Sequence, residues 1–478
     1  MTLLLLLEMV VSAFADRRAL GTVDGGLTYR DLHDRSGSGA ELIRARGARH
    51  VAYVSPSDEA LPVALFASAW AGVPFLPLSY RLGDDQLAGL LARHDDLLVI
   101  AEDEVVERCR PLATSVLSVD QWNAATALPT DASPSASDGD DIAVLLYTSG
   151  TTAEPKAVVL RHRHLTSYVI SSVEFGAADD GEATLVSVPP YHIAGVANVL
   201  SNVYSARRLV YLPAFTPEAW LTTVRTEGIT HAMVVPTMLA RLVDQLGEGG
   251  QAATPTLRSL AYGGSRMPVT VLERALLAFP DADFVNAYGL TETSSTIAVL
   301  GPEDHRSAHK LGSVGRLVPG VEVDVRDDEL WVRGEQVSGE YLGQGAAVDA
   351  DGWFPTRDRG WVDEDGYLYV EGRADDTIIR GGENIAPAEI EDVLLAHPAV
   401  ESVAVVGLPD EEWGQCIGAA VVLRPGAAID AADLQAWAHA RLRSSRTPEV
   451  IAFREALPVT ETGKLLRREV LADLLERT

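Results

Sequence analysis

The sequence predicts an α/β protein with a large N-terminal unit of buried strands and helices, followed by a small α+β unit. Three observations predict it. Short β-branched runs bounded by turn residues recur at 142–147, 185–188, 209–212, 233–235 and 284–287. Stretches with helical periodicity lie between them, such as Leu239, Leu242, Val243 and Leu246. That alternation fits buried strands joined by helices. The last hundred or so residues change character and mix short helices with strands. No internal repeat of solenoid length is present.

The N-terminal run Leu3 to Leu7 is short, lacks a preceding basic residue and is broken by Glu8. It predicts an amphipathic first helix packed on the domain, not an export signal. No later segment approaches the ~20 apolar residues that span a bilayer, so a cytoplasmic location is expected. The polar, acidic stretch 129–141 reads as an exposed connector leading into the strand at 142–147. Strands follow around Val332 and at 367–370, and a second organisational break falls at 372–376. After the pair Gly381 and Gly382, Pro387 opens a helix with apolar positions Ile390, Val393 and Leu394, closed by Pro398. Strands are expected at 400–406 and 419–423, and Asp430 caps a helix carrying Leu434, Trp437 and Leu442.

At 478 residues the chain exceeds one ordinary core, so two or three domains are expected. With 39 basic and 68 acidic residues the net charge is -29, a field that repels nucleic-acid phosphates and anionic lipid. A polyanionic ligand must then be met by backbone amides, individual cations and a metal. Cys109 and Cys416 stand far apart, which disfavours a disulfide framework or zinc site and fits a reducing compartment.

Four segments carry chemistry. The segment 147–156, YTSGTTAEPK, follows a buried strand. Its hydroxyls Thr148, Ser149, Thr151 and Thr152, with Gly150 and Lys156, supply donors and a positive charge for a polyphosphate. It is not a Walker loop. The segment 286–293, NAYGLTET, offers Tyr288 to stack on a base and Thr291 with Glu292 to hold Mg²⁺ against phosphates. The third pairs TRDRG at 356–360 with GRADD at 372–376, where a loop carboxylate, Asp358, could accept ribose hydroxyls beside Arg373. The fourth is TGK at 462–464. Each alone reads as well as a turn or a surface ion pair.

Together and in this order, they resemble the adenylate-forming superfamily of acyl-CoA synthetases, nonribosomal peptide adenylation domains and beetle luciferases, most closely an acyl- or aryl-CoA synthetase. The resemblance implies a domain of stacked sheets with flanking helices plus a small β-rich subdomain over 1–374, and a mobile α+β domain over 375–478. Asp375 matches the hinge, Thr148 to Lys156 the phosphate loop, Tyr288 the adenine platform, and Asp358 with Arg373 the ribose site. Thr291 and Glu292 match the phosphate and Mg²⁺ positions, and Lys464 the lysine that contacts both the acid and the α-phosphate. The segment 261–268, AYGGSRMP, with Gly263 and Gly264, would line the acyl pocket and adenine site. His192, in PPYHIAG at 189–195, would gate the thiol tunnel. Gly381 and Gly382 would line that tunnel, and Arg446 would either meet a CoA phosphate or be an ordinary surface arginine.

The implied cofactors are ATP, Mg²⁺ and CoA. A carboxylate would attack the α-phosphate, release pyrophosphate and form a mixed anhydride, from which a thiol displaces AMP. The substrates implied are a small carboxylic acid and CoA, with a carrier-protein phosphopantetheine as the alternative acceptor. No aspartate occurs within 191–199 to hold an α-ammonium, so an apolar aryl, alicyclic or fatty acid is expected.

The sequence departs from the family pattern at Ala153 and Ala157, where the phosphate loop ordinarily has glycine. A methyl at a positive-φ site costs roughly 1 kcal/mol or more, so weakened adenylation is one expectation, with an acyl-adenylate then supplied by a partner enzyme. Tolerated alanines are the other. Arg380, before the glycine pair, is a further departure, either a cation beside the tunnel or a solvent-facing side chain.

Overall fold

The computed structural model describes residues 1–128, 130, 132–148, 155–247, 249–460 and 465–476. Two mixed sheets organise the first three-quarters of the chain. One runs, by neighbour, Arg316–Leu317, Ser295–Leu300, Asp283–Leu290, Ser259–Gly263, His231–Val234, Ala183–Val186, Arg208–Tyr211, Arg18–Leu20 and Leu27–Thr28. Its five central strands, Asp283–Leu290 to Arg208–Tyr211, are mutually parallel. The other runs Gly345–Ala346, Glu340–Tyr341, Lys156–Arg161, Ile142–Thr148, Phe75–Pro77, His50–Val54, Leu97–Ala101 and Ser115–Ser118.

Buried residues from both sheets share one apolar core with the helices Leu3–Phe14, Tyr29–Ala45, Ala60–Ala71 and Ile193–Tyr204. Those helices fill the space between the sheets. The outer face of the first sheet is covered by Pro217–Thr226, Pro236–Leu246 and Val269–Ala278. Asp84–Leu91 and Asp103–Cys109 cover the outer face of the second. Strands buried on both faces explain the continuous β-branched runs in the sequence.

The first helix packs as its pattern predicts: Leu3, Leu4, Leu6, Leu7 and Val10 are buried while Leu5 faces out. The backbone N–H of Leu3 donates to Nδ1 of His162 at 3.2 Å, fixing the helix start. Among the described residues no helix is long and apolar enough to cross a membrane.

A smaller antiparallel sheet follows, in the order Val321–Arg326, Glu329–Gly334, Phe354–Val362 and Leu368–Arg373. From Ile378 onward a separate core forms around Ile390, Leu394, Val405, Val421 and Leu434. It joins the hairpin Val400–Asp410 and Gly414–Leu423 to the parallel strand Val450–Arg454. The helices Pro387–Leu395 and Ala431–His439 pack against it, while Arg467–Leu475 packs on Ala404, Val406 and Ala420 on the other face of the hairpin. Asp430 caps its helix by accepting from Asp433 N–H at 2.8 Å. Leu442 lies beyond that helix, although its side chain still packs on the core.

Element ends differ from expectation where pairing partners set them. The strand expected at 284–287 runs to Leu290 because Ser295–Leu300 folds back on it. The strand expected at 400–406 extends to Asp410 because its hairpin partner begins at Gly414. Val188, Leu212 and Val235 fall just beyond their strands.

Candidate active site

The strand Asp283–Leu290 ends in a 3-10 turn, Thr291–Thr293, that presents Thr291 and Glu292. The turn is fixed from inside. Thr293, with no exposed surface, accepts from Leu290 N–H at 2.9 Å and lies within hydrogen-bonding distance of the carbonyls of Leu290 and Ser295. From outside, Ser338 and Gly339 N–H groups donate to the Glu292 carbonyl at 2.8 and 3.2 Å. The Glu292 carboxylate accepts a hydrogen bond from the Tyr341 hydroxyl at 2.8 Å. Lys156 Nζ lies 5.3 Å from the centre of the same tyrosine ring.

Thr148 and Lys156 face each other as the last pair of the hairpin formed by Ile142–Thr148 and Lys156–Arg161. Ser149, Gly150, Thr151, Thr152 and Ala153 lie outside the described residues, but both approaches to that loop are held. His94 Nε2 and the Tyr147 hydroxyl share a 2.8 Å hydrogen bond, and Arg93 donates to the Pro155 carbonyl at 2.8 Å. Burial, reinforced by His50 and Arg93, lowers the His94 pKa to about 4, so the imidazole is neutral and can accept from Tyr147.

For Ala157 the backbone agrees with the second of the two sequence expectations, a tolerated methyl. It sits in the regular ladder opposite Tyr147, and it is absent from the non-glycine residues with positive φ. Its carbonyl accepts from Leu342 N–H at 2.9 Å. A methyl there occupies an ordinary buried strand position, so the strain argument does not apply to Ala157.

Asp358 belongs to the strand Phe354–Val362, not to a loop, and is 5% exposed. The register shifts beside it, between Arg359 and Gly360, and Arg357 has φ +62°. Such bulges re-aim side chains next to sites. One carboxylate oxygen accepts from the Tyr288 hydroxyl at 2.7 Å and the other from Arg373 Nη1 at 3.0 Å. Burial, then Asp358 itself, pushes the Tyr288 hydroxyl well above the usual tyrosine range. Burial opposes the charge on Arg373, but Asp358 and Glu292 outweigh it and hold its pKa above the ordinary value. Glu292 stands on the turn that directly follows the strand of Tyr288, so the two clusters adjoin.

His192 is the residue before the helix Ile193–Tyr204, and its ring lies 5.0 Å from that of Tyr191, which itself contacts Tyr80 at 6.4 Å. Gly263 pairs with Ala287, and a Cβ there would come within 2.3 Å of the Ala287 carbonyl oxygen. Only glycine lets these strands meet. Gly264 follows with φ +85°. Arg266, in the same segment, forks onto Asp392 at 2.6 and 3.1 Å and also donates to the Ala388 carbonyl.

Asp375 lies in the 3-10 turn Ala374–Asp376. Gly381 and Gly382 form the turn between Ile378–Arg380 and Glu383–Ile385, with φ of +56° and +83°. The half-exposed Trp413 covers Gly381, whose N–H donates to the Trp413 carbonyl at 2.8 Å. Arg446 is held by Glu383 at 2.8 Å and by Glu389, and so ties the glycine turn to the following helix. Arg380 likewise does not face solvent, since it donates to the Ser445 carbonyl at 2.9 Å and pairs with Glu449. Lys464 lies outside the described residues, but Arg467 just after it binds Glu391 at 2.5 and 2.9 Å and reaches Asp376 at 3.4 Å.

The donor set fits a metal nucleotide. Among the described residues no three His, Cys, Asp or Glu side chains cluster as an all-protein metal cage. One or two carboxylates with phosphate oxygens and waters is the ordinary coordination for Mg²⁺, and Glu292, which shares Tyr341 with Lys156, offers the carboxylate. Sequence reasoning missed Tyr341, Arg93, His94, Trp413 and the Arg266–Asp392 pair, none of which stands in a local pattern.

The model of the AMP-binding enzyme family matches residues 7–348, and that of the AMP-binding enzyme C-terminal domain matches 389–464. A feruloyl-CoA synthase from Amycolatopsis sp is 36% identical over 93% of both chains. The fatty acid–[acyl-carrier-protein] ligase ScoC of Streptomyces coeruleorubidus is 35% identical, over 93% of this chain and 91% of its own. The ATP-bound crystal structure of MatB from Rhodopseudomonas palustris superposes with a TM-score of 0.90 at 26% identity, covering 99% of each chain. MenE from Bacillus subtilis, in complex with the acyl-adenylate OSB-AMP, gives 0.87 at 27% identity over 97% of each. The chain belongs to the AMP-binding enzyme family and carries that family's C-terminal domain.

Proposed function

We propose that this protein is an ATP-dependent acyl-CoA synthetase that converts an apolar, non-amino-acid carboxylic acid to its CoA thioester through an acyl-adenylate. The observation that carries the reading is the meeting of Tyr288, Asp358 and Arg373, from three separate segments, at one carboxylate, with Glu292 on the turn that follows the strand of Tyr288. Asp358 takes the ribose hydroxyls, Tyr288 offers its ring to the adenine, and Gly263 and Gly264 leave room for the base. Thr148 to Thr152, Lys156, Thr291 and Arg373 meet the phosphates. Mg²⁺, when bound at Glu292, offsets phosphate charge at the reacting end. Lys464 carries the positive charge that lets two anions meet in a chain of net charge -29.

The division at Asp375 into 1–374 and 375–478 is part of this reading, with the second domain rotating to exchange Lys464 for the Gly381–Gly382 turn. His192, Tyr191 and Tyr80 form an aromatic wall for the acyl group. The feruloyl-CoA synthases among the relatives favour an aryl acid over an amino acid. Ala157 supports adenylation by the chain itself, since its methyl is accommodated. ATP and CoA as substrates and two unpaired cysteines fit the cytoplasm.

The second reading, transfer to a carrier-protein phosphopantetheine, is favoured by the relative ScoC. Incubation with ATP, Mg²⁺ and a panel of aryl and fatty acids, offered free CoA or a phosphopantetheinylated carrier, separates the two by mass. An acyl-CoA product supports the first reading; product on the carrier alone overturns it.

A further inference from the structure

Tyr341 lies outside every segment in which the sequence concentrates its chemistry, yet its side chain sits between two of them. It occupies the short strand Glu340–Tyr341, which pairs with Lys156–Arg161 through Val158. That strand is anchored on every side. Glu340 takes a two-pronged bond from Arg161 at 2.8 and 2.9 Å, Leu342 N–H donates to the Ala157 carbonyl, and the Ser338 hydroxyl donates to the Val159 carbonyl. The segment just before it also fixes the Glu292 backbone, through Ser338 and Gly339 N–H. Side chains held on so rigid a support can set the orientation of a neighbour.

Two contacts leave Tyr341. Its hydroxyl donates to Glu292 Oε1 at 2.8 Å, and its ring face lies 5.3 Å from Lys156 Nζ. A carboxylate oxygen can only accept, so the Tyr341 hydroxyl is the donor of this pair. A carboxylate anchored through one oxygen presents the other in a fixed direction, and an ammonium over a ring is held without losing its charge.

We propose that Tyr341 is a positioning residue for the metal–nucleotide step, fixing the Glu292 carboxylate and the Lys156 ammonium relative to one another so that Mg²⁺ and the phosphates of ATP are met together. The proposal rests on the nucleotide reading of this site and adds a residue to it. The hydroxyl serves the metal side and the ring serves the phosphate side, so two substitutions separate the roles.

The test uses the full chain, with Mn²⁺ as the metal probe and a non-hydrolysable ATP analogue, read by electron paramagnetic resonance and calorimetry. Tyr341→Phe keeps the ring and loses the hydroxyl. It is expected to weaken Mn²⁺ binding to the analogue complex roughly tenfold or more, leaving metal-free analogue affinity within twofold. Tyr341→Leu removes both and is expected to weaken metal-free analogue binding as well. Melting temperatures within a few degrees of the parent accompany the expected result. Wild-type Mn²⁺ binding that Tyr341→Phe leaves unaltered would overturn this proposal alone. A parent chain that binds no metal nucleotide would overturn the site assignment with it.

Discussion

Asp358 and Arg373 face each other across adjacent antiparallel strands, and the Arg373 guanidinium donates to the Asp358 carboxylate at 3.0 Å. The same carboxylate accepts from Tyr288, a residue of a different sheet. A pair supplied by the small sheet thus closes a site opened by the large one. The Asp358 carboxylate is buried and the Arg373 guanidinium half-buried, and an ionised hydrogen bond withdrawn from water is stronger than an exposed one.

Asp358→Asn keeps the shape of the side chain but not its charge, and turns one acceptor into a donor facing Arg373 or Tyr288. The KM for ATP is expected to rise about tenfold, near the energy of a charged hydrogen bond, while the KM for CoA stays within twofold. Steady-state kinetics with each substrate varied checks this.

Arg93 and His94 hold the two approaches to the phosphate loop, at Pro155 and Tyr147. Arg93→Ala is expected to lower acid-dependent pyrophosphate exchange about tenfold, in line with a small misplacement of a positioning loop. Thioester formation from synthetic acyl-AMP is expected to change by less than twofold. An equal fall in both half-reactions would contradict the loop-anchoring role.

Arg266 and Asp392 join the segment 261–268 to the helix Pro387–Leu395 through a partly exposed ion pair. Exposed pairs contribute roughly 0–1 kcal/mol, so Arg266→Ala is expected to leave the melting temperature nearly unchanged. The pair nonetheless links the two units, and its loss is expected to broaden their relative arrangement in small-angle scattering of the ligand-free chain.

Burial holds the His162 pKa at about 4, and its Nδ1 accepts from Leu3 N–H only when the ring is neutral. The folded value lies below that of the unfolded chain, so the unfolded state binds more protons between about pH 6.5 and 4. Stability contributed by His162 is complete above the unfolded value and is lost as pH falls through that window. Denaturant unfolding from pH 7 to 4.5 is expected to show this decline, and His162→Gln to flatten it.

The parts of this site that the sequence disclosed are those whose neighbours lie within a few residues. Thr148, Tyr288, Glu292, Asp358 and Arg373 stand in short segments whose composition already suggests a nucleotide. Tyr341 is invisible in that way, because its two partners, Lys156 and Glu292, are remote in sequence and met only through strand pairing. The Arg266–Asp392 and Arg446–Glu383 pairs were hidden for the same reason. Ala157 shows where local pattern left two expectations open. A pattern of expected glycines suggested strain, but backbone conformation is set by the hairpin register, and that register is ordinary. Strand cores were legible from β-branched runs, whereas their ends, as at Leu290 and Asp410, depend on where the partner strand turns back.

The central claim, that this chain makes its own acyl-adenylate and passes it to a thiol, is tested most directly by measuring both half-reactions on one preparation. Acid-dependent ATP–pyrophosphate exchange reports the first, and CoA thioester formation from synthetic acyl-AMP the second. The account predicts both in the parent chain, with Lys464→Ala losing exchange by a factor of about a hundred or more, the scale of a lost electrostatic contact at a reacting centre, and keeping most of the transfer. Transfer without exchange in the parent chain would contradict it.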